Sequence, residues 1–300
     1  MKISNYAAID VGSNALRLLI MNIVEDIDNV MFHKASLVRA PIRLGSEVFI
    51  QKKISPESIA RVADAMHAYQ LLMNIYDVKH YLAYATSAMR EAENCQDLID
   101  LVQQRSDIKI EVISGEQEAR IIFATELKNY IQTDKAYLYV DVGGGSTELT
   151  LFDRGEITGS QSFPIGTIRL LDQLIGEDCL NTDIKPWIER HTASLDDVMV
   201  IGSGGNINYI FKRSGVQEKT ALTIQYIQEQ FNILKGLSYE ERIRLCHMKP
   251  DRADVILPAL KIYFYAMQWS RAEKIYVPKI GLADGMIQSI YRQTQAHDMA

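Results

Sequence analysis

One pattern occurs twice in this chain, and it limits the possible folds more than anything else in the sequence. Tyr6-Ala-Ala-Ile-Asp10 is a short apolar run ending in an acid; Val11-Gly-Ser-Asn14 follows, and then the β-like run Leu16 to Val24. The same order returns as Ala136-Tyr-Leu-Tyr-Val-Asp141, Val142-Gly-Gly-Gly-Ser-Thr147 and Glu148 to Phe152. Each copy reads strand, glycine turn, strand. Asp10 and Asp141 are separated by far more than a solenoid period, so the repetition implies a duplicated domain core and not a repeat array. With 300 residues there is room for two such cores. No proline-rich or glycine/serine-rich linker marks the division, so the duplication alone sets it near Ala124, giving domains 1–124 and 125–300.

Helical segments lie between and after the two copies. Ser55-Pro56 supplies an N-cap and a first-turn proline, and Ile59, Val62, Ala63, Met66, Tyr69 and Met73 recur at helical spacing as a core face. His80 to Thr86 reads as a buried strand. Ile108 to Ile113 reads as another, ending at Ser114-Gly115 before a helix that begins near Glu116. Ser238-Tyr-Glu-Glu241 is a capping box, and Ala253 to Met267 is a longer apolar helix. Strands interleaved with helices place the chain in the α/β class.

Composition excludes several kinds of protein. Lys and Arg number 32 against 38 Asp and Glu, a formal charge of -6, which disfavours nonspecific coating of nucleic acid or anionic membrane. The three cysteines, Cys95, Cys179 and Cys246, are far apart and form no C-x-x-C, so neither a disulfide framework nor a thiolate zinc site is suggested, and a reducing cytoplasm fits. The apolar run Ala15 to Val24 is interrupted by Arg17 and Asn22 and has no cleavage pattern after it, so it reads as neither signal peptide nor membrane span.

The two turns have a chemical use. Glycines let backbone N–H groups approach phosphate oxygens closely, and a carboxylate at the strand end can hold a hydrated divalent cation. One Gly-Gly turn taken alone is as well read as a plain hairpin; two in equivalent positions weigh against that. Gly143, Gly144 and Gly145 are the stronger copy, since three glycines in succession weaken a sheet and need a reason. A third, weaker cluster, Gly202-Ser-Gly-Gly-Asn206, follows the apolar run Val198 to Ile201 and leads into a helical stretch, Ile207 to Lys212. Arg17, Arg43 and Arg90 could together neutralise a polyanion, although single arginines are commonly solvated. In Ser114-Gly-Glu-Gln-Glu-Ala-Arg120, Ser114 and Gln117 can form a capping box. Glu116 and Glu118 are then most simply first-turn acids favoured by the helix dipole, the alternative being that one of them deprotonates an attacking water.

These segments, in their order, resemble the Ppx/GppA family of exopolyphosphatases and guanosine pentaphosphate phosphohydrolases. The matching stretches are Ala8 to Asn14, Ala85-Thr-Ser-Ala-Met-Arg-Glu-Ala92, Ile113 to Arg120, Val140 to Glu148, Pro164-Ile-Gly-Thr-Ile-Arg-Leu170, Arg252-Ala-Asp-Val-Ile256 and Gly281-Leu-Ala-Asp-Gly285. The resemblance implies two actin-like, ribonuclease H-like domains of the sugar kinase, Hsp70 and actin superfamily, with a cleft between them. It implies Glu118 as the catalytic base, reversing the plainer reading of that residue, and Arg90 as a phosphate-contacting catalytic arginine. Phosphate contacts fall on Gly12, Ser13, Asn14 and Arg17, on Gly143, Gly144, Gly145, Ser146 and Thr147, and on Gly204 and Gly205. The carboxylates around Mg²⁺ fall on Asp141, Asp10 and Glu148.

The implied activity is hydrolytic release of terminal phosphate from inorganic polyphosphate or pppGpp, in a cytoplasmic homodimer with no DNA or membrane partner. Two departures from the family pattern bear on substrate choice. The third loop reads Ser203-Gly204-Gly205-Asn206 where the family has Ser-Gly-Thr, so a hydroxyl is replaced by an amide; and no C-terminal helical domain follows. Two rivals share the loops: a superfamily kinase or ATPase, and a catalytically weak regulatory protein that binds polyphosphate or guanosine tetra- and pentaphosphate.

Overall fold

The computed structural model describes residues 1–27, 29–123, 125, 134–176, 178–278 and 280–298. The chain divides into two units, residues 1–125 with 281–300, and residues 126–280. The division expected at Ala124 falls on a residue outside those described. Residues 281–300, which the duplication left with the second half, cluster with the first.

In the first unit β1 (Lys2–Val11), β2 (Leu16–Glu25) and β3 (Val30–Ala40) form an antiparallel meander. Helices α1 (Leu44–Gln51) and α2 (Pro56–Ile75) lead to β4 (Val78–Ala85), which pairs parallel with β1. The short helix α3 (Ser87–Glu91), α4 (Cys95–Ser106), β5 (Ile110–Val112) and α5 (Gly115–Phe123) follow, and the sheet order is β3-β2-β1-β4-β5. Ala7, Ala8, Ile9, Leu18, Leu19 and Ile20 are buried. A strand covered on both faces needs an unbroken apolar run, which is why β1 and β2 do not alternate. Ser55 caps α2 by accepting the Ser58 N–H at 3.2 Å, and Val62, Ala63, Met66, Tyr69 and Met73 form its buried face. Strand β4 departs from expectation: Lys79 and His80 are exposed and burial is complete only at Ala83 and Ala85, because β5 pairs with residues 83–85 alone.

The second unit repeats the plan. Antiparallel β6 (Ala136–Val142), β7 (Thr147–Asp153) and β8 (Glu156–Phe163) are followed by α6 (Thr167–Leu171) and by α7 (Lys185–Thr192), which is preceded by a π turn over Leu180–Ile184. Strand β9 (Met199–Ser203) pairs parallel with β6 and runs into α8 (Gly205–Ser214). Next come β10 (Leu222–Thr223), α9 (Ile224–Lys235), α10 (Tyr239–Cys246), α11 (Pro250–Ala253), α12 (Ile256–Trp269) and β11 (Lys274–Tyr276). The order is β10-β11-β9-β6-β7-β8, so β8-β7-β6-β9 reproduces β3-β2-β1-β4. The meander with a parallel neighbour is thus duplicated, and each of the two units is α/β. Ala253 to Met267, read as one helix, is two: α11 ends at Ala253 and α12 starts at Ile256. The last helix, α13 (Leu282–Asp298), returns to the first unit, where it packs on β1, β2, β4 and α5. No helix among the described residues is long and apolar enough to cross a membrane.

Candidate active site

The duplication extends to atomic detail in the two turns. Residues 12–15 join β1 to β2 and residues 143–146 join β6 to β7. Gly12 N–H donates to the Ala15 carbonyl at 3.2 Å and Gly143 N–H to the Ser146 carbonyl at 2.9 Å. A Cβ on either glycine would lie 3.1 Å from that same carbonyl oxygen, which explains the residue at both positions.

Charge is where the copies differ. The strand-end acid faces its partner across the antiparallel ladder, Asp10 opposite Arg17 in the first unit and Asp141 opposite Glu148 in the second. Asp10, 5% exposed, is held by the Arg17 guanidinium at 2.6 Å. The second unit instead sets two carboxylates on adjacent strands. Tyr139 and Ser203 hydroxyls each donate to Asp141 Oδ2 at 3.3 Å, and Tyr263 donates to the Ser203 carbonyl. Burial first, and then the Asp141 charge, push the Tyr139 and Tyr263 phenols well above their ordinary range, so both remain protonated donors. Glu148, also buried, accepts from Ser146 at 2.6 Å and Ser162 at 3.0 Å. Among the described residues no three His, Cys, Asp or Glu side chains gather into a ready-made cage. Mg²⁺ needs none, since it keeps waters and takes one or two carboxylates together with substrate phosphates. Asp141 and Glu148 fit that requirement, whereas the Asp10 carboxylate is engaged by a cation.

Each unit has a second loop after the parallel strand. In the first it is Thr86–Arg90, where Ser87 Oγ and Ser13 Oγ lie 2.8 Å apart, tying this loop to the first turn. Arg90 donates to the Ile113 carbonyl at 2.7 Å, and its Nη1 lies 3.8 Å from Glu118 Oε2. The reciprocal bonds between Ser114 and Gln117, 2.8 and 3.1 Å, start α5 as the sequence suggested. That start decides between its two acids. The Glu116 side chain is 66% exposed and paired with Arg120, an ordinary i,i+4 surface pair, whereas Glu118 is 14% exposed and faces Arg90. In the second unit the loop begins at Gly204, φ +114°, where a Cβ would meet the Val142 carbonyl and the Tyr263 hydroxyl; Gly205 lies beside the Arg252 guanidinium.

The triple-glycine turn is braced from behind. Thr147 is fully buried and its hydroxyl donates to the Ile165 carbonyl at 2.6 Å, so that hydroxyl serves the brace. The Gly143 and Gly144 carbonyls accept from Thr167 N–H at 3.0 Å and Ile168 N–H at 2.8 Å, and Arg169 Nε donates to the Gly145 carbonyl at 2.7 Å. Within the first unit the structure thus brings together Asp10 with Arg17, Ser13 with Ser87, and Arg90 with Glu118. Within the second it brings together Asp141 with Ser203 and Gly204, and Glu148 with Ser146. Roles for Ser87, Tyr139, Ser162, Arg169 and Tyr263 were not read from sequence. An arginine inside the apolar run Ile165 to Leu171 was the one available signal; a buried Tyr in a strand gives none.

Known proteins share sequence and fold with this chain. A model of the Ppx/GppA phosphatase family matches residues 23–294. The bifunctional 3-dehydroquinate synthase/phosphatase of Fusobacterium nucleatum is 31% identical over 279 residues, which cover 84% of this chain and 41% of that protein. The chain therefore spans less than half the length of that relative. Exopolyphosphatase 2 of Mycobacterium tuberculosis is 26% identical over 280 residues, 85% of this chain and 88% of the relative. A crystal structure of an exopolyphosphatase from Cytophaga hutchinsonii superposes with a TM-score of 0.85 at 25% identity, covering 97% of this chain and 98% of that one.

Proposed function

Since this chain belongs to the Ppx/GppA phosphatase family, we propose that it hydrolyses the terminal phosphoanhydride bond of inorganic polyphosphate, with Glu118 as the general base. The observation that carries this reading is the position of Glu118: it is withdrawn from bulk solvent and lies beside Arg90, in contrast to Glu116 two residues away. Polyphosphate is the preferred substrate because relatives matched over 86–88% of their own length are named exopolyphosphatases, whereas the matched guanosine-5'-triphosphate,3'-diphosphate pyrophosphatases are covered over only 61% of theirs.

Phosphoryl transfer to water needs a positioned nucleophile and neutralised charge more than it needs covalent chemistry. Glu118 accepts a proton from the attacking water. Arg90 offsets negative charge beside it, and backbone N–H groups of a glycine turn hold non-bridging phosphate oxygens. Asp141 and Glu148 would hold a divalent cation, which when bound would supply positive charge to neutralise the phosphate chain. Asp10 is placed here as the partner that orients Arg17 and not as a metal ligand.

The test is phosphate release from polyphosphate and from pppGpp, each with and without Mg²⁺, by the wild type and by Glu118→Gln. Loss of a general base typically lowers the rate about 10²- to 10⁴-fold, and the variant should keep the wild-type Tm. Full turnover by Glu118→Gln would remove this residue from the mechanism, and faster release from pppGpp would reverse the substrate order. Transfer of phosphate from ATP to an acceptor, with no release to water, would establish the kinase reading.

A further inference from the structure

The brace behind the triple-glycine turn fixes which way its peptide groups point. In a trans peptide the carbonyl of one residue and the N–H of the next lie on opposite sides. Three consecutive carbonyls, those of Gly143, Gly144 and Gly145, are all drawn to one segment: to Thr167 N–H, Ile168 N–H and Arg169 Nε, at 3.0, 2.8 and 2.7 Å. The N–H groups of Gly144, Gly145 and Ser146 must therefore project from the opposite face of the turn. Successive N–H groups on one side form a concavity for an anion. Gly166 shows how close the approach is, since a Cβ there would overlap the Gly144 carbonyl.

Two of the three tethers are backbone groups that almost any residue would supply. The third is a side chain, and a costly one to place: Arg169 is 7% exposed, and an interior guanidinium is disfavoured unless its hydrogen bonds are made. We propose that Arg169 is a positioning residue for the phosphate site. By holding the Gly145 carbonyl it turns the Ser146 N–H, and with it the whole row of three, toward the substrate's terminal phosphate. Arg169 does not touch the substrate; it acts through the turn. This rests on the reading above that residues 143–146 hold the phosphate.

The experiment uses the full chain and two probes, polyphosphate for turnover and methylenediphosphonate, a non-hydrolysable pyrophosphate analogue, for calorimetric binding. Loss of a hydrogen bond from a charged donor should loosen the row enough to weaken analogue binding and raise KM by roughly tenfold in Arg169→Ala, with kcat changed much less. Arg169→Lys, which keeps a charged donor, should recover part of both, and Arg169→Gln less. A purely structural arginine would lower Tm while leaving KM and analogue affinity at wild-type values, and that result overturns the proposal. Should Arg169→Ala fail to fold, the wild type still decides by amide NMR: the analogue must shift the Gly144, Gly145 and Ser146 resonances, and binding that leaves those three unmoved overturns it. A wild type that neither releases phosphate from polyphosphate nor binds the analogue overturns the parent reading and this one with it. Wild-type activity and binding beside an unaffected Arg169→Ala variant overturn the role of Arg169 alone.

Discussion

Asp141, one of the proposed cation-holding carboxylates, is itself held by neighbouring side chains. One of its carboxylate oxygens is occupied by two hydroxyl donors, Tyr139 and Ser203, and Ser203 is itself fixed through its carbonyl by Tyr263. Such support sets the direction of a metal-holding carboxylate, and its loss typically weakens metal affinity about 10- to 100-fold. Because Ser203 remains, Tyr139→Phe belongs at the low end: we expect the Mg²⁺ concentration for half-maximal phosphate release to rise about tenfold, and stability without metal to fall by ~1 kcal/mol. An unchanged Mg²⁺ midpoint would show that Asp141 is oriented without Tyr139. A second buried phenol gives a pH prediction. Tyr69 donates to the Leu16 carbonyl at the start of β2, and burial above all pushes its pKa up to about 12. The folded state thus holds this proton more tightly than the unfolded chain, in which the phenol titrates near its model value of 10.0. The corresponding stability is complete below that value and is lost as pH rises toward about 12. Tyr69→Phe should flatten the decline in unfolding free energy between pH 10 and 11.5, roughly the window between the two pKa values, measured by urea titration.

At the scale of elements, the decisive contacts are between backbones. The segment that opens α6 lies so near the triple-glycine turn that Gly166 has no room for a methyl group. Gly166→Ala must push one backbone off the other, which overpacking data put at about 1–3 kcal/mol, and it should lower Tm and kcat/KM together. A variant with wild-type values for both would mean that the brace yields easily. Such contacts also mark what sequence can and cannot disclose. Strands β1, β2 and β6 were legible because burial on both faces demands unbroken apolar runs. The starts of α2, α5 and α10 were legible because Ser55, Ser114 and Ser238 satisfy first-turn N–H groups locally. Strand β3 was not, because it is an edge strand with no fully buried position, and β5 was over-extended because only Ile110–Val112 pair. In the candidate site, local pattern points to the glycine turns and Asp141, and resemblance singles out Glu118. The brace could not be found this way, since Arg169 meets Gly145 only through tertiary folding; nor could the unequal surroundings of Asp10 and Asp141, which depend on whether Arg17 or Glu148 stands opposite.

The chain as a whole leaves its first unit at Thr125 and returns to it at Gly281. That return supplies part of the first unit's core: Met286, Ile287 and Ile290 of α13 are buried, Tyr291 stacks edge-on against Phe32, Thr294 meets the Tyr6 hydroxyl at 3.0 Å, and Lys34 pairs with Asp284 at 2.7 Å. Gly285 lets α13 approach the Ile121 carbonyl of α5, the helix that carries Glu118, so the last helix also packs against the one bearing the proposed base. At about 1.5–3 kcal/mol for each fully buried large apolar side chain, those three residues alone contribute an amount comparable to the whole stability margin of an ordinary domain, about 5–15 kcal/mol. A fragment of residues 1–125 should therefore lack a cooperative thermal transition by circular dichroism, whereas the same fragment joined through a flexible linker to residues 281–300 should regain one. If 1–125 alone unfolded cooperatively at the temperature of the joined form, α13 would be an ornament on a domain complete without it. If the joined form also failed, the first unit would need more of the chain than its own contacts indicate.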